Sequence, residues 1–235
     1  ASAHIGSGTD VTVSGAATIT QLAAIDAANN SGTTAIAALS DTVAAVAGSS
    51  DAILNLVTGT VTATGNANVT QASTLSGFAH AVVYNISDTV AAVVGAAGAA
   101  LNEATNITAT GTATVAQATT IEAATNSGTT AIDALSDTAA LVAGSSNAVL
   151  DKVTGTVTAT GTADVAQATT MEAFTKAVSI AALSDAVAAV AGSSDAVLNQ
   201  VTGTVTAAGN ADVIQAATLA GFAHAVVYNI SDTVA

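Results

Sequence analysis

The amino-acid sequence predicts an α/β solenoid of about ten strand-turn-helix coils, each about 24 residues long, with one parallel β-sheet face. Three observations predict this fold. The segment GFAHAVVYNISDTVA begins at Gly77 and recurs letter for letter at Gly221, 144 residues later. The segment NSGTTAI begins at Asn30 and recurs at Asn126, 96 residues later. Both offsets are multiples of 48. The two halves of each 48-residue unit also resemble each other, so the physical unit is a coil of half that length.

Each coil has an anchor residue near the end of its strand pattern. The anchor is a glycine in the odd-numbered coils and the aspartate of a Ser-Asp pair in the even-numbered coils. The glycines are Gly15, Gly65, Gly111, Gly161 and Gly209, and the aspartates are Asp41, Asp88, Asp137, Asp185 and Asp232. We interpret residues 1–235 as a single repeat domain in which equivalent letters of neighbouring coils lie one above another.

Local patterns predict the elements of a coil in order. Residues 61–64 (VTAT) alternate between apolar and polar side chains, as a half-buried strand does. After the anchor, Asp41 and Thr42 precede an Ala/Val run, and an aspartate there accepts hydrogen bonds from the first turn of a helix. Residues 114–124 form the corresponding helical run of an odd coil. Residues 48–50 (GSS) and their copies end the even-coil helices.

Alignment on the anchors predicts two rows of side chains along the sheet. The residue before each anchor forms an outward ladder in which all but one side chain carries a hydroxyl: Ser14, Ser40, Thr64, Ser87, Thr110, Ser136, Thr160, Ser184, Ala208 and Ser231. The preceding residue faces inward, with larger and smaller side chains alternating: Val13, Leu39, Ala63, Ile86, Ala109, Leu135, Ala159, Leu183, Ala207 and Ile230. This alternation predicts that adjacent coils interdigitate.

The composition excludes several functions. Sixteen acidic residues against two lysines give a net charge of −14, which repels phosphate backbones and anionic lipids, so we expect neither nucleic-acid nor membrane-surface partners. The most apolar stretch, residues 90–101, is too short to insert across a bilayer. Without cysteine there is no disulfide or thiolate site. An acidic, Thr-rich chain without cysteine or arginine indicates a secreted, extracellular or cell-surface location.

The polar rows have structural interpretations. Gln21, Gln71, Gln117, Gln167 and Gln215 recur once in every odd coil, and we interpret them as a buried ladder that satisfies backbone groups, with a ligand row as the alternative. His80 and His224 are copies without nearby acidic residues, and His4 stands alone, so we expect structural or surface roles for them. Phe78, Phe222, Tyr84 and Tyr228 fill equivalent core or contact positions.

The aspartate anchors are also candidate calcium ligands, since carboxylate oxygens suit calcium. Asp51, Asp164 and Asp195 lie in nearby loops. No EF-hand or Gly-rich nonapeptide spacing is present, so helix capping is the preferred interpretation of Asp41, Asp88, Asp137, Asp185 and Asp232, with calcium left as the alternative and no other cofactor expected. Repetition distributes reactive residues instead of converging them, so we expect no enzyme activity.

Two strings carry a family resemblance that covers essentially the whole chain. ITATGTATVAQATTIEAATNSGTT, at residues 107–130, and YNISDTVA, at residues 84–91 and 228–235, resemble the repeats of very large secreted cyanobacterial proteins described as strand-repeat or surface-layer-like. The resemblance implies an extracellular, non-enzymatic array and no defined ligand. Many such proteins carry separate calcium-binding repeats, whose pattern this chain lacks.

The sequence therefore predicts a structural protein of a filament, sheath or surface layer whose copies assemble head to tail through uncapped solenoid ends. The predicted interface consists of Ala1, Ser2, Ala3, His4, Ile5, Thr233, Val234 and Ala235. The alternative is a secreted adhesin whose Ser/Thr-rich sheet face binds carbohydrate or ice. Its motivation is the outward pairs Thr62/Thr64, Thr108/Thr110 and Thr158/Thr160, which only odd coils carry. A further alternative is that the chain is an excerpt of a longer repeat polypeptide.

Overall fold

The computed structural model of the chain describes residues 8–28 and 32–232. Ten parallel strands form a sheet in which they follow one another in chain order. The strands are β1 Val11–Ala17, β2 Thr34–Thr42, β3 Val61–Ala67, β4 Val82–Thr89, β5 Ile107–Ala113, β6 Thr130–Thr138, β7 Val157–Ala163, β8 Val178–Ala186, β9 Val205–Ala211 and β10 Val226–Ile230. Strands and helices alternate along the chain, which confirms the predicted α/β solenoid class.

The helices differ between odd and even coils. Odd coils carry one helix of seven to ten residues: α1 Ile19–Ala28, α4 Val69–Leu75, α7 Val115–Glu122, α10 Val165–Glu172 and α13 Val213–Ala220. Even coils carry two shorter ones: α2 Val43–Ala47 and α3 Asp51–Leu54, α5 Val90–Val94 and α6 Gly98–Glu103, α8 Ala139–Ala143 and α9 Asn147–Leu150, α11 Val187–Ala191 and α12 Asp195–Leu198. The predicted breaks are confirmed, because Gly48, Gly144 and Gly192 are the C-caps of α2, α8 and α11. Within the described ranges no helix has the length and apolar content needed to cross a membrane.

The chain divides into two compact units. One comprises Ala1–Thr110 with Ala123–Thr130, and the other comprises Gly111–Glu122 with Ala131–Ala235. In each unit the core combines inward strand residues with one face of the helices, as Leu39 and Leu54 do in the first and Leu135 and Leu150 in the second. No polar or charged residue is buried in the described part of the chain. Small aliphatic side chains therefore form both cores, and each fully buried Leu or Ile contributes about 1.5–3 kcal/mol.

The strand register corrects the alignment on the anchors. Each described even strand pairs with the next odd strand so that Leu39 lies opposite Val61 and Ser40 opposite Thr62, and the equivalent pairs form in the later coils. The anchor alignment places Leu39 beside Ala63 and is wrong by two residues. The expected alternation of larger and smaller inward residues is therefore wrong as well, since Ile86 pairs with Ile107. The predicted facing of the rows is correct for most members: no member of the outward row is buried, and the inward row is buried except at Val13 and Ile230.

A β-bulge in the odd strands changes their register with the even strand that follows. Between Thr62 and Asn66, β3 has three residues where β4 has one. Gly65 lies in this bulge with a φ of +91°, and Gly111, Gly161 and Gly209 have similar values. Only glycine adopts this backbone conformation readily, which accounts for four of the five glycine anchors; Gly15 does not adopt it. The extra residues let an even strand pair with the preceding odd strand through its first half and with the following one through its second half.

Candidate functional sites at the coil junctions

The aspartates of the Ser-Asp pairs join two coils. Asp88 Oδ1 accepts a hydrogen bond from Thr89 N at 2.8 Å, and Asp88 Oδ2 accepts one from Val69 N at 3.0 Å, at the first residue of α4 in the preceding coil. The same Oδ2 bond links Asp41, Asp137, Asp185 and Asp232 to Ile19, Val115, Val165 and Val213. Each carboxylate thus satisfies an amide at the positive end of a helix.

The helix that this carboxylate caps differs from the one predicted. The sequence predicts capping of the helix that follows the aspartate. In the structure Thr42, Thr89 and Thr138 are the N-caps of those helices, and each hydroxyl accepts from the third residue of its helix. The aspartates cap the helix of the preceding coil instead. Helix capping as their role is confirmed, and the assignment of the helix is corrected.

The alternative role of the aspartates is calcium binding. In the part of the chain that the structure describes, no group of three His, Cys, Asp or Glu side chains could hold a metal ion. The loop aspartates also have backbone partners. Asp51 Oδ1 accepts from Ala79 N at 2.7 Å and Asp195 Oδ1 accepts from Ala223 N at 2.8 Å. Asp164 is the N-cap of α10. These carboxylates therefore act as hydrogen-bond acceptors within and between coils.

The glutamine row forms capping boxes at the odd-coil helices. Gln71 Oε1 accepts from Asn68 N at 3.1 Å, and Asn68 Oδ1 accepts from Gln71 N at 2.8 Å. Gln21, Gln117, Gln167 and Gln215 make the equivalent bonds. The prediction that they satisfy backbone groups is confirmed, but the prediction of a buried ladder is wrong, because these side chains are half-exposed or exposed at the helix ends. A capping box needs its side chains at the open first turn, which explains the exposure.

The histidines tie loops of neighbouring coils together. His80 Nε2 donates to Gly59 O at 3.0 Å, and its copy His224 donates to Gly203 O at 3.1 Å. Lys176 occupies the same repeat position, and its Nζ donates to Thr154 O at 3.3 Å. A cationic or N–H donor at this position therefore contacts a backbone carbonyl in each case, which agrees with the structural role predicted for the two histidine copies. His4 lies outside the described residues.

Of the four aromatic residues in equivalent positions, one is buried and three are half-buried. Tyr84 is buried, and its hydroxyl donates to Ala100 O at 2.8 Å in α6. Burial raises the pKa of Tyr84 to about 12, and the negative charge of Glu103 acts in the same direction. Phe78, Phe222 and Tyr228 are half-buried. The prediction of core or contact positions is confirmed.

The outward threonines divide into two groups. The second member of each pair donates its hydroxyl to the backbone carbonyl of an anchor aspartate, at 2.9–3.1 Å: Thr64 to Asp41, Thr110 to Asp88 and Thr160 to Asp137. The first members, Thr62, Thr108 and Thr158, are half-exposed and make no side-chain hydrogen bond within the described residues. Only half of the paired hydroxyls are therefore available to an external ligand.

A ladder of amide and hydroxyl groups was missed by the sequence reasoning. Asn106 Nδ2 donates to Asn85 Oδ1 at 2.9 Å, and Thr129 N and Oγ1 donate to Asn106 Oδ1 at 2.8 and 2.9 Å. Asp10 and Thr33 repeat the second contact, and the hydroxyl and amide of Thr33 hold the pKa of Asp10 below its usual value. The sequence pattern that could have predicted these contacts is an Asp or Asn just before an odd strand, followed 23 residues later by a Thr.

Uncovered apolar side chains concentrate in the last two described coils. Val213 and Ile214 in α13 and Val227 and Ile230 in β10 are four of the six large apolar residues exposed in the described part of the chain; Val83 and Leu141 are the others. A second apolar surface lies on β1 and α1, where a groove is lined by Val13, Ala16, Ala17, Gln21, Ala24 and Ile25. The eight residues predicted as an assembly interface, at 1–5 and 233–235, lie outside the described residues.

The strands, helices and junctions define the class of this protein as an α/β repeat protein with a parallel sheet. Comparison of the chain with protein-family models, with curated proteins and with solved structures gives no match. Its function is therefore inferred from its own residues and their contacts.

Proposed function

We propose that the protein is an extracellular structural protein, a repeat unit of a filament, sheath or surface layer whose copies bind one another end to end. The observation that supports this most directly is the uncovered apolar surface on β10. Ile230 is 59% exposed, whereas Ile86, its copy in an identical segment, is 1% exposed and lies opposite Ile107 of β5. Apolar surface of this kind is stabilised when another element covers it.

The first strand offers a complementary surface. Val13 is half-exposed, whereas Ala63, Ala109, Ala159 and Ala207, which hold the equivalent inward position, are buried. Among the described residues, both β1 and β10 have a single neighbouring strand in the sheet. A contact between β10 of one copy and β1 of the next is heterologous, and contacts of this type propagate into open filaments.

The repeated contacts favour a structural role over catalysis. Anchor aspartates and capping glutamines perform the same backbone bonding in coil after coil, as Asp41 and Asp88 illustrate. Such repetition builds a uniform scaffold, while an enzyme site requires unlike groups that converge. The net charge of −14 adds a condition for assembly, because copies repel one another at low ionic strength and added salt screens this repulsion. The acidic, cysteine-free composition supports the extracellular location.

Assembly can be tested with matched surface variants. Sedimentation and negative-stain electron microscopy of the 235-residue protein should show filaments whose amount rises with protein and salt concentration. Ile230→Asp should raise the critical concentration at least about tenfold, because burial of an isoleucine side chain is worth about 1.5–3 kcal/mol.

Leu141→Asp is the control, since Leu141 is 53% exposed but lies in α8, away from β10. It should leave the critical concentration unchanged. A wild-type protein that sediments as a monomer at every concentration and salt condition would contradict the proposed function.

The second candidate function is a binding module for carbohydrate or ice. The half-exposed Thr62, Thr108 and Thr158 support it, because their hydroxyls have no partner within the described residues. Their row is interrupted, since Thr62 lies between Ser40 and Val83 in the sheet. Thermal hysteresis and binding to a glycan array test this function, and Thr62→Val, Thr108→Val and Thr158→Val together should abolish any signal. Silence of the wild-type protein in both assays would exclude it.

A further inference from the structure

The register of pairing between two copies can be derived from the junctions inside the chain. We propose that β10 of one copy pairs in parallel with β1 of a second copy, with Ile230 opposite Val11 and Ser231 opposite Thr12. This inference rests on the proposed end-to-end assembly and specifies its geometry.

The internal junctions share one register. At the four described junctions from an even strand to an odd strand, the residue before the Ser-Asp pair lies opposite the first residue of the odd strand: Leu39 and Val61, Ile86 and Ile107, Leu135 and Val157, Leu183 and Val205. The serine of the pair then lies opposite a threonine, as Ser87 does opposite Thr108. The residues Ile230 and Ser231 repeat Ile86 and Ser87, and Val11 and Thr12 correspond to Ile107 and Thr108.

The backbone groups required for this pairing lie on the open edges. At the internal junctions Leu39 N donates to Thr60 O at 3.0 Å and Ile86 N donates to Asn106 O at 2.8 Å. The equivalent groups between copies are Ile230 N and Asp10 O. Parallel strands direct successive backbone groups to alternate sides.

The neighbouring hydrogen bonds show which side is open. Ser231 N donates to Ala211 O on β9, so Ile230 N points to the opposite edge of β10. Val11 N donates to Thr33 O at 2.8 Å, next to β2, so Asp10 O points to the opposite edge of β1, which no other described strand covers. Donor and acceptor therefore face outward at the two edges in the arrangement that the internal junctions use.

The side chains complement each other in this register. Ile230 would pack beside Val11, which repeats the pairing of two branched aliphatic residues at Ile86 and Ile107. A slip by one residue would place an apolar residue opposite a hydroxyl and turn the wrong face of the strand inward. The second copy therefore covers Ile230 best in the register of the internal junctions.

The chain contains no cysteine, so engineered disulfides can report the register directly. Opposite residues of paired strands lie about 4.8 Å apart, within the range of about 4.4–6.8 Å that a disulfide bridges. A variant with Ser231→Cys and Thr12→Cys should form a ladder of covalent dimers, trimers and longer products under mild oxidation. Both residues are exposed, so the substitutions leave the folded core intact.

Two control variants calibrate the measurement. Ser87→Cys with Thr108→Cys reproduces the same geometry inside one chain and should give an intramolecular disulfide without a ladder. Ser231→Cys with Ser14→Cys shifts one partner by two residues to about 8 Å, beyond disulfide reach. Its yield of intermolecular products should be at least about tenfold lower than that of the Thr12 variant.

The outcomes separate the register from the assembly. Filaments with no disulfide ladder for the Thr12 variant, or with equal ladders for the Thr12 and Ser14 variants, would overturn the register and leave the proposed function standing. A single Ser231→Cys variant that forms disulfide dimers as efficiently as the double variant would also overturn the register, since the products would then not depend on Thr12. A protein that remains monomeric overturns both.

Discussion

Residues Gly77 to Asp88 and Gly221 to Asp232 have the same sequence in different surroundings. In the first copy Ile86 and Tyr84 are each 1% exposed, next to β5 and α6. In the second copy Ile230 is 59% exposed and Tyr228 is half-buried. The elements that follow the strand, α6 of the same coil and β5 of the next, therefore determine whether these side chains join the core, and their own sequence does not.

Several contacts with the preceding coil are the same in both copies. His80 and His224 donate to equivalent glycine carbonyls, and Ala79 N and Ala223 N donate to equivalent aspartates. The tyrosines differ, because Tyr84 donates to Ala100 O in α6, after its strand, whereas Tyr228 donates to Ala216 O in the preceding coil. Each coil of this protein is thus held on one side by its predecessor and on the other by its successor, which is the nearest-neighbour behaviour of repeat proteins.

The largest expected effect on stability is at the isoleucine pair, Ile86 and Ile230. Ile86→Ala should lower the free energy of unfolding by about 3 kcal/mol, because it leaves a cavity in a packed core. Ile230→Ala should lower it by less than about 1 kcal/mol, since the side chain is already in contact with water. Urea denaturation followed by circular dichroism, at concentrations below assembly, measures both. Equal losses would contradict the dependence on the following coil.

A smaller effect is expected at the anchor aspartates. Asp88→Ala removes the acceptor of both Thr89 N and Val69 N and should cost about 1–2 kcal/mol. Asp232→Ala should cost less, because Asp232 is exposed and its bond from Val213 N is longer, at 3.2 Å. Amide hydrogen exchange provides a local measurement. Loss of protection in α4 of the Asp88 variant is expected, and unchanged exchange there would show that the carboxylate does not stabilise the helix.

The smallest effect concerns the tyrosines. Tyr84→Phe removes a buried bond to Ala100 O and should cost about 1 kcal/mol, whereas Tyr228→Phe removes a bond of 3.3 Å and should cost less. The raised pKa of Tyr84 means that folding favours its neutral form. Its stabilising contribution is therefore complete below pH 10 and declines as the pH rises from 10 through about 12. Stability measured across this range should fall less in Tyr84→Phe than in the wild type; an identical decline would contradict the assignment to Tyr84.

Much of the fold was predictable because repetition reveals periodicity directly. The segment that begins at Gly77 recurs at Gly221, and such recurrences define the repeat length. Alternating patterns such as residues 61–64 predicted the strands. The loop glycines, including Gly48, were predicted as helix breaks and are C-caps. These features depend on local sequence, which a single chain displays in full.

Register and partners were harder to predict because they depend on contacts between coils. Gly65 and Asp41 align as letters, but Gly65 enters a bulge that inserts residues into one strand only. Letter alignment counts residues and has no information on such an insertion. Asp41 lies beside the helix of the preceding coil, where its carboxylate accepts from Ile19 N at the start of α1. The glutamines repeat so regularly that they suggested a buried row, although helix ends also repeat once per coil.

The bond between Asp41 and Ile19 spans 22 positions in sequence. Synthesis begins at the amino terminus, so all residues of α1 have been translated before Asp41, whose carboxylate caps the helix. Each odd helix is therefore capped only after the strand of the next coil has been translated.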